Sequence, residues 1–341
     1  SAINDRKDEY GGPLENRARF VLDVVRAIRK RVGNDFHLQM KISAEEHCDA
    51  VAFFGIGPSG NTIDDSVRVC QWLVEAGVDA IHVSTGGFFP HPLNPAGSDL
   101  PVEDLIAHLD RVRAATKQPV STAEPWHVWI KHPELVAHVD FITVHMLPYW
   151  EGVEVEAAVG YVVAKLGEVR NAFPGKPIVI GEVGWPSEGR TRESAVATTA
   201  NEALFLRRFL AYAEQQRLEY FVMEAFDQPW KAAAEGKVGA YWGVYDADRQ
   251  QKFEFRAPIV RVPHWHVLAA ASVLAAAFML WLFYFHSHTL RNRGRSFLAV
   301  VVYSTATLLV WTIYDFSQQY LTVSSVLVGA VLMVGMLGVV A

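Results

Sequence analysis

Polar side chains that could cleave a glycosidic bond stand at the ends of four strand-like segments. The segments, each with its last residue, are 119–124 with Glu124, 141–145 with His145, 177–182 with Glu182 and 220–224 with Glu224. Because the carboxyl ends of parallel strands meet at one mouth of a (β/α) barrel, we expect these side chains to share one site. Glycosidases need one carboxyl group to protonate the leaving oxygen and a second to act as nucleophile or base. Three Glu at equivalent positions favour this chemistry over ordinary polar loop starts, because a buried carboxylate is costly without a partner or a task.

Aromatic side chains follow the same strand ends and could hold sugar rings. They are Trp126, Trp129, Tyr149, Trp150, Trp185, Trp230, Tyr241 and Trp242. Such side chains present large flat faces to a ligand, but they also dominate protein cores. We expect them to lie in loops rather than inside helices, with about half of them packed in the core.

The residues before position 262 alternate amphipathic helices with short β-branched segments. Val and Ile recur at helical spacing in 21–32, and Thr62 with Asp65 three positions later predicts a capped helix start. Segments 37–42 and 79–83 predict two further strands. This alternation is typical of parallel βα units. We therefore expect an α/β fold, a partial (β/α) TIM-type barrel of about six βα units followed by transmembrane helices.

Three apolar stretches close the sequence, and each is near the roughly 20 residues that cross a bilayer. They are 267–285, 297–314 and 321–341. A buried helical hairpin is the alternative, but a soluble helix of this length would show a polar stripe. The lipid bilayer is therefore an expected partner.

The basic residues between the spans predict the orientation. The connector between the first two spans carries Arg291, Arg293 and Arg295. Because the second connector, 315–320, has no Lys or Arg, the first belongs in the cytoplasm and the large domain outside it. Three basic residues before the first span, Lys252, Arg256 and Arg261, oppose this orientation, although long domains count for less in the rule.

Composition excludes two other classes of site. The net charge of -6, without a cluster of Lys and Arg among aromatics, argues against a nucleic-acid partner. The two cysteines, Cys48 and Cys70, are too few for a disulfide framework or a four-ligand zinc site. The run 45–49 is polar, yet consecutive residues rarely converge on one ion, so we expect a solvated loop and no metal.

Four long motifs resemble glycoside hydrolase family 17, the retaining β-1,3-glucanases and glucan transglycosylases. They are PVSTAEPWHVW, DFITVHMLPYWEG, GKPIVIGEVGWPSEG and EYFVMEAFDQPWKAAAEGKVGAYWGVYDADRQQKF. The resemblance covers about 99–262 and is closest to bacterial membrane members, in which such a domain precedes membrane spans and a glycosyltransferase domain. It implies β-1,3-glucan as substrate, a multi-pass protein of the bacterial inner membrane, and a cytoplasmic glycosyltransferase beyond Ala341.

This resemblance also assigns roles to residues. Glu182 takes the place of the nucleophile, and Lys231 and Glu235 match positions beside the cleft, whereas Gln228 replaces the Glu of plant members. The residues expected to contact substrate are Glu124, Trp126, His145, Tyr149, Trp150, Trp185, Glu224, Trp230, Lys231 and Glu235. The Gly-Asn-Glu motif of the acid/base is missing, and Glu124 is a poor substitute because the family carries that residue as well. We therefore expect impaired hydrolysis or glucan binding alone.

A second resemblance covers the beginning of the chain. The motifs NDRKDEYGGPLENRARFVLDVVRAIRKRVG, LQMKIS and GVDAIHVSTGGFFPHPLNPAG resemble the old yellow enzyme family of flavin oxidoreductases. They match the fifth and sixth βα units of that barrel, without its early flavin residues or its late phosphate-binding loops. Lys41 stands where the family places an Arg against the flavin, so it would bind cofactor only if FMN were bound. We expect no cofactor.

Together the resemblances divide the chain into 1–97, 98–262 and 263–341. The leading hypothesis is a membrane-anchored glucan hydrolase or transglycosylase. The second is an FMN-dependent ene-reductase fragment. The third is a non-catalytic hybrid, joined near 95–100 by gene fusion or misassembly, because cytoplasmic-type βα units precede a domain expected outside the cell.

Overall fold

A computed structural model describes residues 4–46, 60–84, 101–262, 264–286 and 292–318, and single positions between 327 and 338. Three features expected from the sequence lie outside these residues. They are the junction near 95–100, residues 47–49 of the acidic run, and most of the third apolar stretch, 321–341.

Helices and parallel strands alternate along the described chain. The helices are α1 (Leu14–Val32), α2 (Ile63–Glu75), α3 (Val102–Ala115), α4 (Trp126–Lys131), α5 (Val155–Ala172), α6 (Thr199–Gln216), α7 (Ala232–Glu235), α8 (Trp265–His286) and α9 (Asn292–Gln318). The strands are β1 (Gln39–Ser43), β2 (Ala80–Ser84), β3 (Val120–Ser121), β4 (Ala123–Pro125), β5 (Ile142–Met146), β6 (Ile178–Val183) and β7 (Tyr220–Val222). The six predicted strands are confirmed, and the third is interrupted at Thr122.

The strands form two sheets, ordered β1-β2-β3 and β4-β5-β6-β7. The pairs β1–β2, β2–β3, β4–β5 and β5–β6 are parallel, as the βα alternation predicts. Strand ends differ from the expectation by one or two residues. In particular β7 ends at Val222, so Glu224 lies beyond the strand rather than at its last position.

Two helices near the beginning illustrate what the pattern predicts. Thr62 caps α2: its hydroxyl accepts from the backbone of Asp65, whose carboxylate in turn accepts from the backbone of Thr62. For α1 the expected apolar face was only partly right. Val25 is buried with Ala18 and Leu22 on one face, but Val24, beside that face, and Val32, at the end of the helix, are exposed.

The chain divides into two compact units. Unit 1 comprises Ser1–Met146, Val162–Val183 and Arg217–Phe221; unit 2 comprises Leu147–Tyr161, Gly184–Gln216 and Val222–Ala341. Unit 1 holds β1 to β6, with a core of aliphatic side chains from the strands and from α2 and α3. Its largest fully buried side chains include Leu73, Ile81, Leu109, Leu135 and Ile142.

Unit 2 has a core rich in aromatic rings and carries the two apolar helices. The segments of α8 and α9 that are long and apolar enough to cross a membrane are Trp265–Phe283, with mean hydropathy 2.1, and Gly294–Tyr314, with mean hydropathy 1.8. The helices pack together around Ala276, Val302 and Ala306. The predicted spans 267–285 and 297–314 are therefore confirmed as helices, and their suitability for a bilayer rests on length and composition.

Candidate active site

The central contact of unit 1 joins two side chains from adjacent strands. The register places His145 of β5 opposite Glu182 of β6, next to an irregularity in the pairing after Val144. The Oε2 of Glu182 lies 3.0 Å from the Nδ1 of His145, whose side chain is 11% exposed, against 31% for Glu182. The Nδ1 makes no hydrogen bond among the described residues, so the pair is a close polar contact. The carboxylate stays partly exposed while the imidazole is largely buried.

Glu124 occupies the next strand, but the register places it beside Val144 rather than His145. The hydroxyl of Thr122 donates to its Oε1 over 3.1 Å. Burial raises the pKa of Glu124, and the Thr122 hydrogen bond with the charges of His145 and Lys41 partly opposes this. Of the four strand-end residues, the structure thus brings His145 and Glu182 into contact and leaves Glu124 electrostatically coupled to His145.

A buried polar network lies among the strands of unit 1 and was missed from the sequence. His82 of β2 contacts the Gln39 amide, and its Nε2 lies 3.0 Å from the hydroxyl of Thr143. That hydroxyl donates to Ser121 over 3.1 Å. Burial, with help from Lys41 and His145, lowers the pKa of His82 to about 3, so the ring is neutral at physiological pH. A histidine inside a β-branched strand was the available signal.

Two of the aromatic residues expected in loops lie in helix α4 instead. Trp126 begins the helix, and the ammonium of Lys165 sits 4.0 Å from the centre of its ring. Trp129 is fully buried and donates its indole N–H to the carbonyl of Thr143 over 2.9 Å. Trp129 is therefore a packing residue, whereas Trp126 keeps a partly exposed ring.

In unit 2 lies Glu224, the last of the four polar residues expected at strand ends. Its Oε2 accepts from the ammonium of Lys231 over 2.8 Å and from the amide of Gln228. Both ion-pair partners are largely buried. Among the described residues the other oxygen, Oε1, is buried without a hydrogen-bond partner. Gln228, the departure from plant members of the family, thus serves to hold this carboxylate.

Four aromatic rings of unit 2 pack edge to face and face to face. The ring of Tyr149 lies 5.3 Å from Trp150 and 5.8 Å from both Trp185 and Trp242. Trp150 stacks on Trp242 at 6.0 Å. Tyr149 and Trp185 have no exposed surface, and they donate hydrogen bonds to the carbonyls of Arg190 and Val196. The structure gives these two a supporting role and leaves Trp150 as the ring of this cluster with an exposed part.

The remaining two predicted contacts of unit 2 lie on the surface. Trp230 is in a short 3-10 helix and is 57% exposed, with the Lys231 ammonium 5.9 Å from its ring. Glu235 ends α7 and is exposed; its side chain folds over Gly239, where a Cβ would come within 2.6 Å of its Oε2.

The sequence models of two families match separate parts of this chain. Residues 96–243 match the BtgE/BtgC glycoside hydrolase domain, and residues 1–91 match the NADH:flavin oxidoreductase / NADH oxidase family. Both resemblances are confirmed. We call 96–243 the glycosidase segment and 1–91 the flavin-oxidoreductase segment.

Relatives of both kinds are known. A glucan 1,3-beta-glucosidase of Schizosaccharomyces pombe is 25% identical over 262 residues, which cover 72% of this chain and 80% of that protein. An NADH oxidase of Thermoanaerobacter brockii is 37% identical over 83 residues, which cover 24% of this chain and only 11% of that protein. The alignment to the glucosidase is thus longer than the glycosidase segment itself.

A solved structure supports the fold. An active-site mutant of the Rhizomucor miehei beta-1,3-glucanosyltransferase in complex with laminaritriose superposes with a TM-score of 0.54 at 22% identity. The superposition covers 75% of this chain and 97% of that structure. At this identity the likeness establishes a shared fold, and parallel βα architecture is what the two have in common.

A buried lysine within unit 2 was not singled out from the sequence, although it lies in a quoted motif. The ammonium of Lys252 contacts the hydroxyl of Ser187 at 2.7 Å, the carboxylate of Asp227 at 2.9 Å and that of Glu202 at 3.2 Å. Burial raises the pKa of Glu202 to about 8, and it also raises that of Asp227. Because one ammonium serves two buried carboxyl groups, the proton of the cluster resides on Glu202 at neutral pH.

In the described part of the flavin-oxidoreductase segment, the cavity at Lys41 is smaller than a flavin site. The cavity lined by Lys41, with Arg17, Met40 and Asn61 among its other walls, has a volume of about 190 Å³. Pockets that bind small molecules and cofactors such as flavins usually have volumes of about 300–1,000 Å³. No group of three or more metal-ligating side chains occurs in the part of the chain that the structure describes.

Proposed function

We propose that this chain is a membrane-anchored, retaining glycoside hydrolase or transglycosylase that acts on β-1,3-glucan, with Glu182 as its nucleophile. The observation that carries the proposal is the Glu182–His145 contact inside the glycosidase segment. A carboxylate at the end of a barrel strand, reachable from solvent and held by a neighbouring side chain, is what nucleophilic attack on a sugar requires.

In the proposed reaction a Glu182 oxygen forms a bond to the anomeric carbon as the glycosidic bond breaks. The electron pair goes to the leaving oxygen, which takes a proton from solvent water. A water molecule or a sugar hydroxyl then attacks the same carbon, releases Glu182 and gives its proton to solvent. Water as acceptor gives hydrolysis, and glucan as acceptor gives transglycosylation.

Aromatic rings and one carboxylate serve as glucan contacts in this proposal. Trp126, Trp150 and Trp230 retain exposed ring surface on which sugar faces can pack. The buried Oε1 of Glu224 is an acceptor for a sugar hydroxyl, while Lys231 and Gln228 hold the other oxygen. Tyr149 and Trp185 act by supporting Trp150, and His145 acts by holding Glu182.

The missing acid/base motif limits what this chain does to ordinary glucan. Without a carboxyl group in that role, a sugar leaving group departs slowly because its oxygen is a poor leaving group. We therefore propose that turnover of β-1,3-glucan is slow and that binding survives. Aryl glycosides with good leaving groups need less protonation and react faster.

The test is product analysis with the full chain in detergent or in membranes. Laminari-oligosaccharides of defined length are incubated with the protein, and products are separated by size. Shorter products indicate hydrolysis, and longer products indicate transglycosylation. If neither appears, and an aryl β-glucoside also stays intact while glucan binds, the chain is a glucan-binding protein and the catalytic proposal is wrong.

We further propose that α8 and α9 anchor the protein in a bacterial inner membrane as part of a multi-pass topology, with the soluble domain before the spans outside the cytoplasm. The support is their length and apolar composition. The proposed partners are the lipid bilayer and β-glucan. We also propose a cytoplasmic glycosyltransferase domain after the spans. Protease digestion of intact and opened spheroplasts tests the orientation, because a domain outside is cut in both.

The flavin-oxidoreductase segment favours a second candidate, an ene-reductase fragment, because residues 1–91 match that family. The small cavity at Lys41 argues against it, and we propose that no FMN is bound. A purified protein with flavin absorbance that is lost on unfolding would support the second candidate. A colourless protein that also binds no glucan would instead indicate a non-catalytic hybrid.

A further inference from the structure

One buried cation ties together three separate segments of unit 2. Lys252 contacts Ser187 in the loop after β6, Glu202 in α6 and Asp227 in the segment after β7. The side chain of Lys252 is 10% exposed, and those of Glu202 and Asp227 are 0% and 4% exposed. Burying three ionisable groups costs desolvation free energy. Their mutual contacts must offset this cost for the buried cluster to be stable.

The segment that Asp227 belongs to carries part of the proposed glucan site. Residues 224–227 run parallel to 242–245, with the backbone N–H of Glu224 donating to the carbonyl of Trp242 and that of Asp227 donating to the carbonyl of Tyr245, both over 2.9 Å. The Asp227 carboxylate also accepts from the backbone N–H of Gly243 over 2.9 Å. Asp227 therefore joins the two backbone segments from the side while Lys252 holds its carboxylate.

Lys252 is bonded to this pair of segments through its backbone as well. Its N–H donates to the carbonyl of Val244 over 3.2 Å, and the neighbouring Gln251 bridges Tyr245 in an antiparallel sense. The Ser187 N–H donates to the carbonyl of Tyr241 over 2.8 Å. Lys252 thus binds one of the two segments through its side chain, at Asp227, and the other through its backbone, at Val244.

We propose that Lys252 is a positioning residue of the glucan site: by holding Asp227 it keeps the segment 224–231 in the geometry that pairs Glu224 with Lys231. This inference rests on the proposed function for its consequence in catalysis, but not for its structural part. Lys252 itself contacts no proposed substrate group, and it acts through Asp227. Asp227 and Glu224 are close together in the sequence. A displacement of the Asp227 backbone therefore also displaces Glu224.

The experiment compares the full chain with Lys252→Met, which keeps the length of the side chain and removes its charge. Arg261→Met is the matched control, because Arg261 is an exposed cation of the same part of the chain, paired with Glu156 at 3.4 Å. A third variant, Lys252→Met with Asp227→Asn, removes both charges and tests whether any effect is only the cost of an unpaired buried carboxylate.

Two readouts are taken from each variant. Hydrogen exchange of peptides covering 224–231 and 240–245 should be faster by about tenfold or more in Lys252→Met and in the double variant, with protection of β5 and β6 unchanged. Cleavage of laminari-oligosaccharides, or of an aryl β-glucoside, should show kcat/KM lower by about tenfold or more in both variants, even where the double variant regains thermal stability. Arg261→Met should match the parent in both readouts.

Each outcome bears on a different claim. Unchanged exchange in 224–231 overturns the positioning role, whether or not the protein is active. Faster exchange with full kcat/KM overturns the link to catalysis. If exchange is faster in Lys252→Met but the parent protein turns over neither substrate, the positioning role is supported and the proposed function is overturned.

Discussion

The carboxylate of Glu182 and the imidazole of His145 lie 3.0 Å apart on neighbouring parallel strands, each one residue before its strand ends. Glu182 therefore has a polar neighbour at close range and remains partly exposed. The proposed role of Glu182 as nucleophile depends on this arrangement.

Glu182→Gln should abolish turnover, because the amide cannot form the covalent intermediate. We expect kcat/KM on an aryl β-glucoside to fall by about 10³-fold or more. Glu168→Gln, a change of an exposed glutamate on α5, should keep parent activity. Retained activity in Glu182→Gln would remove Glu182 from the nucleophile role.

Trp150→Ala should weaken glucan binding, because a partly exposed ring supported by buried aromatics is removed. About 1.5–3 kcal/mol of lost contact corresponds to a dissociation constant higher by about 10- to 100-fold. Titration with laminari-oligosaccharides, followed by tryptophan fluorescence or calorimetry, measures this. Phe20→Ala removes an exposed ring from α1 and should leave affinity unchanged; equal losses in both variants would indicate general destabilisation instead.

The stability of unit 2 should depend on pH through Glu202. Burial raises its pKa from an ordinary value of 4.5 to about 8, so the folded protein binds a proton that the unfolded chain releases between these values. The contribution of Glu202 to stability is therefore full below about pH 4.5 and is lost as pH rises through about 8. Glu202→Gln should flatten the fall in melting temperature between pH 6 and 8.

The check is thermal unfolding of the full chain in detergent at several pH values. The melting temperature of Glu202→Gln minus that of the parent should grow more positive as pH rises. A difference that stays constant with pH would show that Glu202 is ionised in the folded protein and that Lys252 alone neutralises it.

Deletion of residues 265–341 should release the protein from the membrane fraction. The two helices expose large apolar side chains, including Leu274 and Phe297, which require a bilayer or a covering protein. The full chain should resist alkaline extraction and dissolve in detergent. Extraction of the full chain into the aqueous phase would show that α8 and α9 lie on the protein rather than in lipid.

The secondary structure was predictable because its signals are local. β-branched segments such as 141–145 and 177–182 are short, buried and bounded by turns, and the Thr62 capping box reports its own helix start. Which part of a face is covered is not a local property. Val24 and Val32 of α1 fit the apolar spacing but stay exposed.

The site was predictable where it follows strand ends and not where it depends on long-range packing. His145 and Glu182 meet as expected, whereas Glu124 pairs with Val144, before the irregularity between Val144 and His145. Lys252 and Glu202 lie fifty positions apart in sequence, and no local pattern relates a lysine in a polar run to a glutamate within a helix. Their contact is apparent only in the folded structure.

The most direct test of the central claim is to trap the glycosyl–enzyme intermediate. A 2-deoxy-2-fluoro-glucosyl donor with a good leaving group forms the covalent adduct but slows its breakdown, and peptide mass spectrometry then locates the sugar. We predict one added sugar on the peptide containing Glu182, and none in Glu182→Gln. A sugar attached to another residue, or turnover of an aryl β-glucoside with no adduct at all, would contradict it.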